Sequence, residues 1–449
     1  MATYVGPRSA LPSKASSARI AIIPQCVRRG SGRRGYPMLL RIFLLAISLL
    51  AGAAGADLPR AAPEDVGLSQ ERLDRITQAL ESSVDQGHVA GAIGVVARKG
   101  KIAYWENVGM ADREAGTAMA DDTIFRIYSM TKPIVSVALM ILYEEGRFSL
   151  KDEVKQHMPE LGGLKVWVAG KEVAPDREMT VQDLMRHTSG MTYGLFGDSR
   201  VDEMYNDAGV LSENQSVAQF VEKLSKLPLK HQPGTRWDYS VSVDVQGRLI
   251  EVLSGKDLAT YMRERVFEPL DMRDTAFRMT EEKSGRFAQA YKKTEDEKGI
   301  EPANDGRTKR YYEKTQWYSG GGGLVSTTRD YLRFCQMLLN GGILDGTRIL
   351  SRKTVELMTI DHVSEISRAS SILAAGYGFG LNFAVHVDPA QSGLNGSVGE
   401  YNWGGLAGTS FWIDPAEELI GIYMIQMMPP RYANGGGQFK RLVYQSITD

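Results

Sequence analysis

A serine hydroxyl and a lysine amine stand three residues apart at Ser129 and Lys132. Residues at this spacing on a helix share one face, so the amine can contact the hydroxyl. A serine is a weak nucleophile at neutral pH, and a lysine kept neutral by burial can accept its proton during attack. The segment that follows, through Glu145, is apolar nearly all round and predicts a buried helix. The pair indicates a nucleophile with its own base, although the same spacing also arises by chance.

Tyr239 is the best candidate for a third proton-transfer group. It follows a turn at Pro233 and Gly234 and precedes a helical segment. A tyrosine in such a loop is more often a packing residue. In the functional interpretation its phenol passes the proton of Ser129 to the leaving group, which is typically worth about 10²- to 10⁴-fold in rate.

Other motifs, present or missing, limit the classes of enzyme that the sequence can encode. Two glycines follow Trp403, where backbone N–H groups could approach a bound carbonyl, although glycines in a strand more often mark a bulge. His187 is predicted to end a helix in a turn rather than to complete a serine–histidine triad. After residue 56 the chain has no G-x-S-x-G, H-E-x-x-H, G-x-G-x-x-G or Walker motif. These absences argue against an α/β-hydrolase or zinc peptidase, and we expect no metal or cofactor.

The apolar pattern predicts elements that could position these groups. A hairpin at 91–98 and 102–108 precedes the buried helix, and a helix capped by Thr328 or Asp330 runs to Leu339. Further predicted elements are helices at 69–87, 181–186, 217–224, 243–253 and 437–447, strands at 378–387, 408–413 and 419–426, and a surface hairpin or loop at 281–310. This order predicts an α+β fold in which both chain ends build an antiparallel sheet. The predicted divisions are 57–155 (first part of the α/β domain), 156–315 (mostly helical subdomain) and 316–449 (second part).

The first 56 of the 449 residues have a different composition, with eight basic and no acidic side chains. An apolar run follows Arg41, and small residues end at Ala56, which is typical of a secretory signal starting near Met38. We therefore expect a periplasmic or secreted protein, with organelle targeting as the alternative. No later segment is apolar for long enough to span a bilayer.

The rest of the chain holds 45 basic and 54 acidic residues, a formal charge of −9 that argues against nucleic-acid binding. Of the two cysteines, Cys26 lies in the leader, so Cys335 is expected to be a buried free thiol. The expected partner is a small ester or amide substrate, and the oligomeric state stays open.

From about residue 60 onwards the sequence resembles the serine β-lactamase and penicillin-binding-protein superfamily, and in particular the class C β-lactamase-like branch that includes the family VIII esterases. Three phrases in order carry the resemblance: FRIYSMTKP at 125–133, LMRHTSG at 184–190 and GGLVST at 322–327. The resemblance implies a β-lactamase/transpeptidase-like fold, with an antiparallel sheet flanked by helices and a mostly helical inserted subdomain.

The resemblance also implies roles for single residues. Ser129 would be acylated, Lys132 would be its base, and Tyr239 would open the second family motif, Y-x-N. The asparagine of that motif is replaced by Val241, which cannot hydrogen-bond a β-lactam amide. The oxyanion hole would consist of the backbone N–H groups of Ser129 and Leu406.

The third family motif, K-T-G, corresponds to Trp403, Gly404 and Gly405, and a W-G-G of this kind is similar to the esterase branch. Loss of the lysine removes a cation for a substrate carboxylate and substitutes a flat apolar wall. Aromatic candidates for the rest of the pocket are Tyr128, Trp317 and Tyr401. We therefore expect a carboxylesterase, with a β-lactamase or D-amino-acid peptidase as one alternative and a non-catalytic recognition or self-assembly module as another.

Overall fold

The computed structural model describes residues 57–303, 307–313, 317–368, 370–429 and 435–449. The predicted N-terminal extension and signal peptide, residues 1–56, lie outside these ranges, so cleavage near Ala56 stays a prediction. Within the described ranges no helix combines the length and the apolar character that a bilayer crossing needs.

The largest sheet has eight strands contributed by both parts of the chain. They are β1 (Gly91–Arg98), β2 (Lys101–Asp112), β3 (Thr117–Ala118), β14 (Tyr377–Phe379), β15 (Ala384–His386), β16 (Tyr401–Gly404), β17 (Ser410–Asp414) and β18 (Leu419–Met424). Their spatial order is β14-β15-β16-β17-β18-β1-β2-β3, and each neighbouring pair is antiparallel. The C-terminal strand β18 pairs with the N-terminal β1, which confirms the predicted α+β architecture.

Ten short strands form two-stranded pairs outside this sheet. They are β4 (Ile124–Arg126) with β10 (Val325–Thr327), β5 (Val166–Val168) with β6 (Lys171–Val173), β7 (Arg236–Trp237) with β13 (Ser367–Arg368), β8 (Tyr291–Lys293) with β9 (Ile300–Pro302), and β11 (Ile343–Leu344) with β12 (Thr347–Arg348). The β4–β10 pair matters for the site, because it joins the strand before Ser129 to the segment after the glycine run at 320–323.

The α-helices are α1 (Gln70–Asp85), α2 (Thr131–Glu144), α3 (Val154–His157), α4 (Val181–Met185), α5 (Arg200–Asp207), α6 (Val217–Leu224), α7 (Ser242–Ser254), α8 (Leu258–Met262), α9 (Thr328–Leu339), α10 (Arg352–Met358), α11 (Pro389–Ser392) and α12 (Gly435–Tyr444). Short 3₁₀ turns occur at Pro63–Val66, Tyr128–Met130, Pro159–Leu161, Glu281–Arg286 and Arg307–Tyr311, and a π-helical turn at Arg263–Phe267.

The large sheet separates two apolar cores. Along β1, Ile93 and Val95 face the larger core with α2, whereas Ala92 and Val96 face a smaller core with α1 and α12. Successive side chains of a strand point to opposite faces, so a strand covered on both faces is apolar throughout. This explains why all eight residues of β1 are buried.

Most predicted elements match the observed ones to within a few residues. The predicted single strand at 378–387 was wrong, because this segment turns back on itself and forms the antiparallel strands β14 and β15. The predicted helix from Ser129 begins as a 3₁₀ turn, and α2 proper starts at Thr131. The predicted cap of α9 was wrong: the side chain of Thr327 accepts a hydrogen bond from the Asp330 N–H. Cys335 is buried and free, as expected.

Candidate active site

Ser129 and Lys132 lie at the start of α2, where the chain enters the larger core. The Lys132 Nζ atom is 3.1 Å from the Ser129 Oγ atom and donates to the carbonyl oxygen of Gly321 at 2.6 Å. Only 1% of Lys132 is exposed. Pro133 falls in the first turn of the helix, where no N–H is required. The helix therefore presents the amine to the hydroxyl, as the spacing predicted.

The backbone immediately before the serine is strained. Tyr128 has a φ of +41°, a conformation that is rare for a bulky residue and costs on the order of 1–3 kcal/mol. Hydrogen bonds on both sides hold it: Ile127 N–H donates to Leu324 O, and Met130 O accepts from the Tyr331 hydroxyl at 3.0 Å. The strained turn places Ser129 on the cleft wall.

Tyr239 reaches the same oxygen from a separate part of the chain. Its hydroxyl lies 2.8 Å from the Ser129 Oγ atom, and the Lys132 Nζ atom lies 4.6 Å from the centre of its ring. The loop between β7 and α7 carries it and is held by the segment 184–190, because Asp238 N–H donates to the carbonyl of His187. Ser129, Lys132 and Tyr239 are therefore brought together.

His187 belongs to the packing around Tyr239. Its ring centre is 4.9 Å from that of Tyr239, and its Nδ1 atom accepts from the Ser240 N–H at 3.3 Å. Burial, together with the charge of Lys132, holds the pKa of this imidazole well below its usual value. The prediction of a turn after a helix is met, since α4 ends at Met185 and His187 has a φ of +56°.

The Trp403 motif forms a second wall of the cleft. Strand β15 pairs with β16 as far as Asn402. The next two residues, Trp403 and Gly404, pair with β17 on the other side. The Trp403 ring packs on Tyr239 with centres 5.4 Å apart. A Cβ atom at Gly405 would lie 2.5 Å from the carbonyl oxygen of Ile127, so only glycine permits this approach.

Leu406 follows in the turn between β16 and β17 and lines the same cleft as Ser129. The close contact of Gly405 with Ile127 brings this turn beside the strained backbone that carries Ser129. The two backbone N–H groups predicted to form an oxyanion hole thus belong to adjacent walls of one cavity.

The cavity has a volume of about 730 Å³, which suits a ligand larger than a short acyl chain. Tyr128 and Trp317 line it as predicted, whereas Tyr401 packs against Phe383 in the core. Sequence reasoning missed several wall residues, because they lie in loops without an apolar period: Tyr193, Leu195, Phe196 and Ile372. Leu195 and Phe196 are more than half exposed and form an apolar rim.

Two cationic side chains also line the cavity, and both have acidic partners. Arg310 pairs with Glu213 at 3.1 Å, and Lys440 pairs with the buried carboxylate of Glu400 at 2.6 Å. Burial lowers the pKa of Lys440, although Glu400 opposes this effect. The charges on the walls are thus balanced locally, and the surface around Ser129 is mainly apolar and aromatic.

Comparison with known proteins agrees with this arrangement. Residues 76–445 match the family model described as Beta-lactamase. Protein Rv1367c of Mycobacterium tuberculosis is 35% identical over 371 residues, covering 80% of this chain and 90% of that protein. Esterase EstB of Burkholderia gladioli is 30% identical over 403 residues, covering 86% of this chain and 96% of the esterase.

Among solved structures, EstCE1, described as a hydrolase with promiscuous acyltransferase activity, superposes with a TM-score of 0.74. It is 26% identical, and the match covers 84% of this chain and 99% of EstCE1. The family match extends over most of the chain and includes the helix of Ser129, the loop of Tyr239 and the Trp403 turn. The chain therefore belongs to the β-lactamase family and is a serine hydrolase related to its esterases.

Proposed function

We propose that this protein is a carboxylesterase that acts through an acyl-enzyme on Ser129. The Ser129 Oγ atom attacks the ester carbonyl while Lys132 accepts its proton. The negative charge on the carbonyl oxygen is stabilised by the N–H groups of Ser129 and Leu406. Tyr239 donates its proton to the departing alcohol and regains a proton from the Lys132 ammonium, and water then releases the acid through the same groups.

The observation that supports this proposal most strongly is the contact of two proton-transfer groups with one oxygen. The Ser129 Oγ atom lies 3.1 Å from an amine and 2.8 Å from a phenol, and both distances allow direct proton transfer. A module that only binds its ligand has no need for a buried lysine beside the serine, because burying an ammonium group costs desolvation energy.

The cavity walls favour a neutral ester with apolar groups on both sides of the carbonyl. Trp403 presents an aromatic face next to Tyr239, and the rim at Leu195 and Phe196 is apolar. The relatives named esterases, EstB among them, are consistent with this substrate class. We propose small to medium acyl esters, with space in the cavity for a bulky alcohol.

The experiment compares hydrolysis of p-nitrophenyl butyrate by the wild type, Ser129→Ala and Tyr239→Phe. We expect Ser129→Ala to lose activity to the background level and Tyr239→Phe to lose about 10²- to 10⁴-fold in kcat. Ser225→Ala and Tyr143→Phe remove the same groups away from the cleft and should match the wild type. Equal hydrolysis by all variants would exclude the proposal.

Fluorophosphonate labelling read by intact mass separates an enzyme from a recognition module. The wild type should gain one phosphonyl group and Ser129→Ala none. An unmodified wild type would favour the non-catalytic alternative.

For localisation we propose export by the predicted signal peptide, on the strength of the basic, acid-free leader and the small residues that end at Ala56. N-terminal sequencing of the protein from its natural host should find Asp57 first. An N-terminus within the first 37 residues would contradict export by this signal.

A further inference from the structure

Asp244 is a buried carboxylate that the proposed mechanism does not use. It lies in the first turn of α7 and is 1% exposed. Its Oδ1 atom accepts hydrogen bonds from the Ser319 hydroxyl at 2.6 Å and from the Gly321 N–H at 3.0 Å. A carboxylate so deeply buried is costly unless hydrogen bonds and a nearby positive charge compensate for lost water.

Gly321 connects this carboxylate to the candidate catalytic amine. Its N–H donates to Asp244, and its carbonyl oxygen accepts from the Lys132 Nζ atom at 2.6 Å. A Cβ atom at Gly321 would lie 2.4 Å from Asp244 Oδ2 and 2.6 Å from the Tyr193 hydroxyl oxygen. Only glycine fits there, so the chain has no side chain between the carboxylate and the backbone that holds the amine.

The charges of the two groups act on each other. Burial raises the pKa of Asp244, while the hydrogen bonds from Ser319 and Gly321 and the charge of Lys132 oppose that rise. The Asp244 carboxylate and the Lys132 amine therefore attract each other across the Gly321 peptide unit.

Among the described residues around the pair, Arg310 donates to the carbonyl oxygen of Gly322 and is itself paired with Glu213. Tyr193 faces Asp244, and burial and the Asp244 charge raise its pKa well above 10, so it stays neutral. His187 has a pKa well below its usual value and is neutral as well. The Tyr239 ring packs against the amine, with its centre 4.6 Å from the Lys132 Nζ atom.

We propose that Asp244 is a positioning residue that holds Lys132 against Ser129 through Gly321 and stabilises the ammonium formed during acylation. In that step the Ser129 O–H bond breaks and its proton passes to the Lys132 Nζ atom. The freed electron pair forms the bond to the ester carbonyl carbon, and the carbonyl π electrons move to its oxygen. This role rests on the proposed acyl-enzyme chemistry and assigns the Asp244 carboxylate a part in it.

The test variant is Asp244→Asn, which keeps the shape and the Oδ1 acceptor but removes the charge. We expect kcat for p-nitrophenyl butyrate to fall by about 10- to 100-fold with KM changed less than about threefold. We also expect the acid limb of the kcat/KM profile to move to lower pH, because the carboxylate of residue 244, whose pKa burial raises, no longer titrates in the variant. Damage to the fold alone would lower the plateau without moving this limb.

Asp330→Asn is the matched control, because Asp330 is a second buried carboxylate that accepts from a hydroxyl and an N–H away from the cleft. It should keep the wild-type pH profile. If Asp244→Asn does not fold, Ser319→Ala tests the proposal instead. It removes one hydrogen-bond donor from the carboxylate, so we expect a smaller fall in kcat and a smaller shift of the acid limb in the same direction. The proposal would be overturned if the variant that folds has the same kcat/KM plateau and the same acid limb as the wild type.

The same variants are also labelled with a fluorophosphonate at several pH values, which requires no ester substrate. A slower plateau with a shifted acid limb in labelling supports the Asp244 role even if the wild type hydrolyses no ester. Failure of the proposed esterase function and failure of this positioning role therefore give different results.

Discussion

Two side chains bear on which substrates the site accepts. Val241 is fully buried at the start of α7 and offers no polar group to a substrate amide. Trp403, which the sequence resemblance matches to the lysine of K-T-G, packs its ring against Tyr239 and Phe379. A substrate with a charged carboxylate and an amide thus loses two interactions, whereas a neutral ester loses neither.

At this scale we predict slow turnover of β-lactams. With a chromogenic cephalosporin, kcat/KM should be about 10²- to 10⁴-fold lower than with p-nitrophenyl butyrate, because each missing polar partner costs about 1–3 kcal/mol. The two substrates are measured with one enzyme preparation, with Ser129→Ala as the blank. Comparable values for the two substrates would mean that other residues replace the lost contacts.

Helices and strands with a regular apolar spacing could be predicted from the sequence, whereas the geometry of the loops could not. The predicted bounds of α6, 217–224, agree with the structure because its apolar spacing is helical and Ser216 supplies a cap. The cap of α9 was misplaced because several polar residues that can cap a helix are adjacent, and only the fold decides which of them is extended. Phe196 and Tyr193 carry no periodic signal, since the contacts that place them are distant in sequence.

The buried start of α9 predicts a pH effect on stability. Burial raises the pKa of Asp330 to about 6, above its ordinary value of 3.8, so the folded protein binds this proton more tightly than the unfolded chain. The stabilising contribution is complete below about pH 4 and is lost as the pH rises through about 6. Relative to the wild type, Asp330→Asn should therefore gain stability between pH 4 and pH 7.

Urea unfolding of both proteins at several pH values measures this difference, with Glu222→Gln, which alters an exposed ion pair with Lys226, as the control. A difference between Asp330→Asn and the wild type that does not change with pH would contradict the assignment.

For the whole molecule, one buried arginine ties both ends of the described chain to the sheet. Arg98, at the end of β1, is 4% exposed and donates to the carbonyl oxygens of Val66 and Gly67. It also pairs with Glu417 at 2.7 Å and with Asp449 at 2.6 Å. These contacts hold the segment before α1 and the last residue of the chain to one side chain.

Arg98→Ala should therefore destabilise the protein by about 3 kcal/mol, because the buried carbonyl oxygen of Val66 loses this donor and the ion pairs with Glu417 and Asp449 are lost. Arg75→Ala removes an exposed i,i+4 pair and should change stability by less than about 0.5 kcal/mol. Urea unfolding followed by far-UV circular dichroism measures both. Equal effects of the two substitutions would show that Arg98 does not join the ends.

The convergence on the Ser129 oxygen has a consequence for folding experiments. The hydroxyl and the phenol are 110 residues apart in the sequence, and the Trp403 turn comes from a third region that enters the sheet beside them. No fragment that lacks one of these regions can carry the full set of groups. Recovery of catalytic activity during refolding should consequently be among the last signals to return, after helix content and after burial of the tryptophans.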